Sequence, residues 1–207
     1  TQLQSSAASD VYKRQSIDDV IIAVDDEETV KELKKWKVKT AITDSTHRSG
    51  TDRVHEVSKD KNADVIVNVQ ADEPFLDHTL IDMLIDEFDD TSIEMATIAG
   101  KELSANQLHD SNTVKVLLDN DRFALAFRRI PIDMESGGYY HHAGIYAYRQ
   151  DILDKFTSLK PSANEVKYKL EQLRAIDNGI SIKVALTDRV NMGIDTCLLY
   201  TSDAADD

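Results

Sequence analysis

The stretch Val65-Ile66-Val67-Asn68-Val69-Gln70-Ala71-Asp72-Glu73-Pro74 limits the possible folds more than any other part of the chain. Val65 to Val69 is β-branched at every place but Asn68 and reads as a strand buried on both faces, as in a parallel sheet. The run stops abruptly in two adjacent carboxylates and a proline. In open α/β sheets, ligands bind just outside the carboxyl ends of strands. Gln70, Asp72 and Glu73 therefore stand where small-molecule chemistry would occur. The same residues also suit a plain strand-to-helix turn, with solvated carboxylates and Pro74 opening the next helix.

The flanking pattern is consistent with an α/β sheet. Val20 to Val24 reads as a buried strand, Glu27 to Trp36 as a helix and Val38 to Thr43 as a second strand. The helix has acids in its first turn and lysines in its last, as the helix dipole favours. A polar loop, Asp44 to Arg53, leads into a helix near Val54 to Ser58, and an amphipathic helix spans Leu80 to Phe88. Alternating strands and helices make the opening half α/β and parallel. After Glu94, strands are expected over Met95–Ala99, Thr113–Leu118, Phe123–Arg128, His142–Tyr148 and Ser181–Leu186. Asp119-Asn120-Asp121 suits a hairpin turn. Helices are expected over Gln150–Phe156 and Ala163–Asn178, the second capped by Gly179. Val166, Leu170, Leu173 and Ile176 would form its buried stripe, leaving Glu165, Glu171 and Gln172 off that face.

The chain is acidic, at a formal net charge of −14 over 207 residues, which argues against nucleic acid or an anionic membrane as partner. An acidic enzyme that handles phosphates must neutralise them locally, with a metal or a few placed arginines. One cysteine excludes a disulfide framework and a cysteine metal cluster, and no apolar run approaches the ~20 residues that span a bilayer. The expectation is a soluble, cytoplasmic protein.

Both ends read as foreign to the fold. Ser5 to Gln15 can be written as a DNA string whose reverse complement, read one base in, encodes Cys197 to Asp206, with Asp207 allowed by the leftover bases. That string resembles a transposon adapter used to prepare sequencing libraries. The expected organisation is thus residues 1–15 and 197–207 as adapter-like segments and 16–196 as an incomplete domain. The flanks carry +1 and −3, so the segment between them carries −12.

Several groups of residues could carry chemistry. Ser49-Gly50-Thr51-Asp52-Arg53 offers a glycine turn, two hydroxyls and an arginine at a helix start, suited to a nucleotide or to ordinary capping. Asp72 and Asp195 each follow an apolar run and a small residue. Mg²⁺ takes one or two carboxylates and completes its octahedron with phosphate oxygens and water, so these two could share such an ion, or be unrelated turn residues. His142 and Tyr146 lie four apart in one strand and face one way. With Arg129 they would suit a carboxylated sugar, the arginine taking the carboxylate and the other two its hydroxyls. His141 points to the opposite face and is left out. The six histidines show no zinc spacing.

In order along the chain stand His47-Arg48-Ser49-Gly50-Thr51-Asp52-Arg53, Val67 to Pro74, Asn112-Thr113-Val114-Lys115-Val116, His142-Ala143-Gly144-Ile145-Tyr146-Ala147-Tyr148-Arg149, Leu170-Glu171-Gln172-Leu173-Arg174 and Gly193-Ile194-Asp195-Thr196. Together they resemble the 3-deoxy-manno-octulosonate (KDO) cytidylyltransferases, the CMP-KDO synthetases of lipopolysaccharide assembly. The resemblance implies a Rossmann-like, mostly parallel nucleotide-binding sheet with helices on both faces, and a smaller mixed region for sugar binding and dimerisation. It implies Mg²⁺-dependent transfer of CMP from CTP to the anomeric hydroxyl of KDO by a cytoplasmic homodimer. Asp72 and Asp195 match the metal-holding aspartates; Ser49, Gly50, Arg53 and Gln70 match the nucleotide side. Arg129, His142, Tyr146, Glu171 and Gln172 match the side that meets the sugar acid. Close relatives of that reading are an enzyme for 8-amino-KDO or a sialic acid, and a non-catalytic nucleotide-binding homologue.

The chain departs from the family pattern at Ala71, where glycine is usual, at Tyr168, where glutamate is usual, and at Arg128, where serine is usual. The family's first strand and its glycine- and arginine-rich triphosphate loop would precede Ser16, so this chain alone is expected to be inactive.

Overall fold

The computed structural model describes residues 17–70, 77–131, 138–188 and 190. Asp72, Glu73, Asp195 and both adapter-like segments lie outside the described residues.

A two-stranded parallel pair comes first: β1 (Ile21–Val24) and β2 (Lys39–Ile42), joined through helix α1 (Glu27–Leu33) and a 3₁₀ turn, Lys34–Trp36. Asp26 starts α1 by accepting the Thr29 N–H at 2.7 Å, and the left-handed Lys37 ends the 3₁₀ turn. Helix α2 (Gly50–Ser58) follows, beginning four residues earlier than the apolar pattern suggests. Its first turn is polar, so periodicity does not reveal it. The Ser49 cap and Gly50 do.

The main sheet has six strands: β3 (Val65–Val69), β4 (Met95–Gly100), β5 (Lys115–Leu118), β6 (Ala124–Arg128), β7 (Tyr139–Arg149) and β8 (Ile182–Thr187). Its main path runs β6-β5-β7-β4-β8, and β3 also pairs with β7. Since β3, β4 and β5 each run antiparallel to β7, and β8 runs parallel to β4, four of the six strands point one way. The described neighbour of β3 is therefore antiparallel rather than parallel. An apolar strand covered on both faces reads the same in either setting, because the pattern reports burial and not direction.

Alternate residues of β4, β7 and β8 feed two cores. Met95, Tyr148 and Val184 pack with α5 (Gln150–Ser158) and α7 (Leu173–Asp177); Ala96, Ala147 and Ala185 pack with α3 (His78–Asp86). Both faces of the sheet are thus covered. A short helix, α4 (Ala105–His109), precedes β5, and Asp119 closes the β5–β6 hairpin by accepting the N–H groups of Asp121 and Phe123.

The long helix expected over 163–178 is broken. Helix α6 (Ala163–Tyr168) stops at Lys169, which is left-handed at φ 54°, and α7 restarts at Leu173. Val166 is 66% exposed, whereas Gln172 is buried, so the predicted stripe does not survive the break. The carbonyl of Lys169 accepts from Arg129 Nη2 at 3.4 Å, and Glu165 pairs with Arg174 across the break. These contacts turn residues 169–172 toward the site.

Candidate functional site

The site occupies a gap in the sheet. Strands β3 and β5 lie end to end along the same edge of β7: β3 covers Ile145 to Arg149, and β5 covers Tyr139 to His141. Between them β7 presents His142 and Gly144 to a cavity of about 1120 Å³ that also reaches the start of α2 and the break before α7. Pockets for one small molecule occupy roughly 300–1,000 Å³, so there is room for two sizeable substrates. The cavity opens beyond the carboxyl end of β3, where strand-end chemistry is expected. Arg48, Arg129, Lys169 and Arg174 line this cavity together with Asp52, Asp110, Glu165 and Glu171. Arg174 is paired with Glu165 and Glu171, so Arg48, Arg129 and Lys169 are the cations available to a ligand.

Ser49, Gly50, Gln70, Arg129, His142, Tyr146, Glu171 and Gln172, all expected from the sequence, line the cavity. Arg53 does not. Its guanidinium donates to Asp25 Oδ2 at 2.6 Å and to Thr43 Oγ1 at 2.9 Å, holding together the carboxyl ends of β1 and β2. Of the two neighbouring arginines, Arg129 faces the cavity, while Arg128 sits over the Tyr168 ring at 5.8 Å.

On the first wall, the Ser49 hydroxyl caps α2 by accepting from the Asp52 N–H at 3.3 Å. Gly50 lies against the Gln70 amide so closely that a Cβ would fall 2.7 Å from Gln70 Oε1. Only glycine permits this approach. The Gly50→Ala variant is expected to fold, since a side-chain terminus can yield, but to displace Gln70. About a tenfold rise in KM for the nucleotide, the equivalent of ~1.4 kcal/mol, is the expected result of initial-rate measurements.

On the opposite wall, burial pushes the His142 imidazole down to about 3, with a smaller contribution from His141, and keeps it neutral. Its Nε2 lies 3.0 Å from Thr97 Oγ1, whose own proton goes to the Ile145 carbonyl at 2.7 Å. Thr97 must therefore accept, which places the His142 proton on Nε2 and leaves Nδ1 as an acceptor. Burial raises the Tyr146 phenol well above its ordinary value, so it remains a donor. Its ring centroid lies 5.5 Å from that of His142. A neutral acceptor beside a neutral donor suits sugar hydroxyls, with Arg129 available for a carboxylate.

Other lining residues had been given no role in the chemistry of the site. His141 lies on the opposite parity of β7 from His142, yet it borders the same cavity, because the gap in the sheet exposes both sides of the strand. Asn112 and Thr113 border it from the loop before β5, and Lys169 from the helix break. Lys115 holds this wall from behind: fully buried, its ammonium donates to the carbonyls of Asp110 (2.6 Å), Thr113 (2.8 Å) and Arg129 (2.8 Å). The motif Asn112 to Val116 holds Asn112, Thr113 and Lys115 and was the signal available for them, but it did not disclose these roles.

A strand-end cavity in an α/β sheet, one wall formed by a glycine-opened helix start and the other by neutral groups able to bond hydroxyls, fits the nucleotidyltransferase class of protein that the sequence resembles. In agreement, residues 7–182 match the family model described as Cytidylyltransferase. The 3-deoxy-manno-octulosonate cytidylyltransferase of Koribacter versatilis is 40% identical over 186 residues, spanning 86% of this chain and 70% of its own length. That of Pelobacter propionicus is 37% identical over 206 residues, spanning 90% and 81%. A solved CMP:2-keto-3-deoxy-manno-octonic acid synthetase, complexed with CTP, superposes with a TM-score of 0.89 at 30% identity, covering 98% of this chain and 86% of its own. A glucose-1-phosphate thymidylyltransferase from Bacillus anthracis, TM-score 0.61 at 16% identity, shares the fold alone. The chain belongs to the 3-deoxy-manno-octulosonate cytidylyltransferase family.

Proposed function

We propose that this protein transfers the CMP group of CTP to the anomeric hydroxyl of KDO and releases pyrophosphate, acting as a cytoplasmic homodimer in lipopolysaccharide assembly. The observation that carries the reading is the single cavity joining Ser49, Gly50 and Gln70 on one wall to Arg129, His142, Tyr146, Glu171 and Gln172 on the other. The anomeric oxygen attacks the α-phosphorus, the bond to the bridging oxygen of the β-phosphate breaks, and the hydroxyl proton leaves with solvent. Such transfer needs little covalent chemistry from the protein; positioning and charge neutralisation dominate. Arg129 takes the sugar carboxylate, and His142 Nδ1 and the Tyr146 hydroxyl orient sugar hydroxyls. Arg48 and the start of α2 face the nucleotide side. Among the described residues no helix is long and apolar enough to cross a membrane.

Among the described residues no group of three or more His, Cys, Asp and Glu side chains could hold a metal ion. The remaining candidates, Asp72 and Asp195, offer hard carboxylate oxygens that suit Mg²⁺ in number and kind. When bound, Mg²⁺ would neutralise phosphate charge in the transition state. Pyrophosphate release from CTP by the chain extended with the family's first strand and triphosphate loop, assayed with KDO, 8-amino-KDO and a sialic acid side by side, tests the reading. KDO is expected to give the highest kcat/KM; no release with any acid would refute it. Asp72→Asn is expected to lower turnover more than ~100-fold while leaving the fold intact, and unchanged turnover would remove the metal assignment.

A further inference from the structure

Asn68 interrupts the apolar β3 run and is almost completely buried, as is Thr51 in the first turn of α2. A polar residue in a sheet core is costly unless its hydrogen bonds are made. Here they form a chain from one cavity wall to the other. Gln70 Nε2 donates to Asn68 Oδ1 at 3.1 Å, Asn68 Nδ2 to Thr51 Oγ1 at 3.2 Å, and Thr51 Oγ1 to Glu171 Oε2 at 2.6 Å. The other oxygen of Glu171 faces Arg174 Nη2 at 3.4 Å.

The polarity of this chain follows from its far end. As a carboxylate, Glu171 only accepts, so the Thr51 hydroxyl must spend its one proton there. Thr51 then accepts from the amide nitrogen of Asn68. The oxygen of Asn68 is left for Gln70, which must offer its nitrogen. Gln70 Oε1 is thereby turned away from the sheet, over Gly50. The buried Tyr148 phenol also bonds Thr51; the hydroxyl oxygen can accept from it and from Asn68 together, so the assignment is unchanged.

We propose that Asn68 and Thr51 are positioning residues through which Glu171 fixes the Gln70 amide, so that Gln70 presents an acceptor to a hydrogen-bond donor of the nucleotide. This rests on the cytidylyltransferase reading above and assigns a specificity device to it. The donor is either the cytosine amino group or a ribose hydroxyl. With the relay intact, a nucleotide lacking that donor leaves the Gln70 oxygen unpaired and is disfavoured. With the relay cut, the amide rotates and the discrimination falls.

The test compares kcat/KM for CTP, UTP and the 2′- and 3′-deoxy analogues of CTP, at fixed KDO and Mg²⁺, in the same extended enzyme. The wild type is expected to disfavour at least one analogue by about tenfold, the usual scale for an unpaired buried polar group. Loss against UTP identifies the amino group, and loss against a deoxy analogue identifies a ribose hydroxyl. Thr51→Val, equal in shape but without the hydroxyl, is expected to narrow that ratio at least fivefold, and Thr51→Ser to preserve it. Glu171→Gln, partly exposed, can donate back and is expected to narrow it as well; since Glu171 also lines the sugar side, only the ratio between nucleotides at fixed KDO is read. This variant supplies the result if Thr51→Val does not fold. A wild-type ratio retained in both Thr51→Val and Glu171→Gln would overturn the proposal, as would a wild type that treats all four nucleotides alike. Absence of any pyrophosphate release by the wild type would instead refute the function. The same ratios are then read from dissociation constants measured by calorimetry, with the same outcomes deciding the relay.

Discussion

Replacing Arg174 by Met is expected to destabilise the protein by about 3–5 kcal/mol, the usual consequence of breaking a buried ion pair from one side. Arg174 is buried, and its guanidinium donates to both oxygens of Glu165, at 2.8 Å from Nε and 2.5 Å from Nη2. It also lies 4.7 Å above the Phe156 ring centroid and contacts Glu171. Glu165 in turn closes the capping box of α6 by accepting the Ser162 N–H at 3.0 Å. Loss of the guanidinium leaves two carboxylates near each other in a poorly solvated place and frees the break between α6 and α7. Urea unfolding should show a lower midpoint at an unchanged slope. Adding Glu165→Gln to the Met variant should recover part of the loss, because it removes one of the stranded charges. No recovery would mean that packing on Phe156, and not charge, is what Arg174 contributes.

A second large effect is expected on mild acidification. The fold accommodates His142 only as the neutral imidazole, with its folded value near 3 against an ordinary 6.5. As pH falls below about 6.5, protons bind the unfolded chain first. The stability contributed by the neutral ring is therefore complete above that pH and is lost progressively until about pH 3, at up to ~1.4 kcal/mol per pH unit. Burial lowers His141 in the same direction. Carboxylates whose values are lowered, such as Asp26 and Asp90, lose their contribution only nearer their ordinary value of 3.8. Measurement between pH 6.5 and 5 thus isolates the histidines. Urea midpoints should fall across this window in the wild type and fall less steeply in His142→Gln. Equal slopes would show that the imidazole is protonated within the fold.

Sequence alone determined the strand-helix alternation and the positions of nearly all strands. It also determined the pairing of His142 with Tyr146, since parity along a strand is a local property. Six ordered motifs sufficed to indicate the family before any geometry was known. Tertiary structure alone decided the direction of the β3 pairing, because apolar burial carries no sense of direction. Only the tertiary structure broke the helix at Lys169, where the guanidiniums of Arg129, just after β6, and of Arg174 in α7 bind the Lys169 carbonyl and the Glu165 carboxylate and outweigh a continuous helical pattern. The same is true of the bonds of Arg53 to Asp25 and Thr43 at the carboxyl ends of β1 and β2, and of His141, which a gap between two strands brings to the cavity. Asn68 shows the division most plainly. Its place in an apolar strand was visible as an exception, but its purpose required Thr51 and Glu171, 17 residues before it and 103 after it, to meet it in space. Local propensity determines what each segment can be; which distant hydrogen-bonding groups must be satisfied together is decided only when the segments pack.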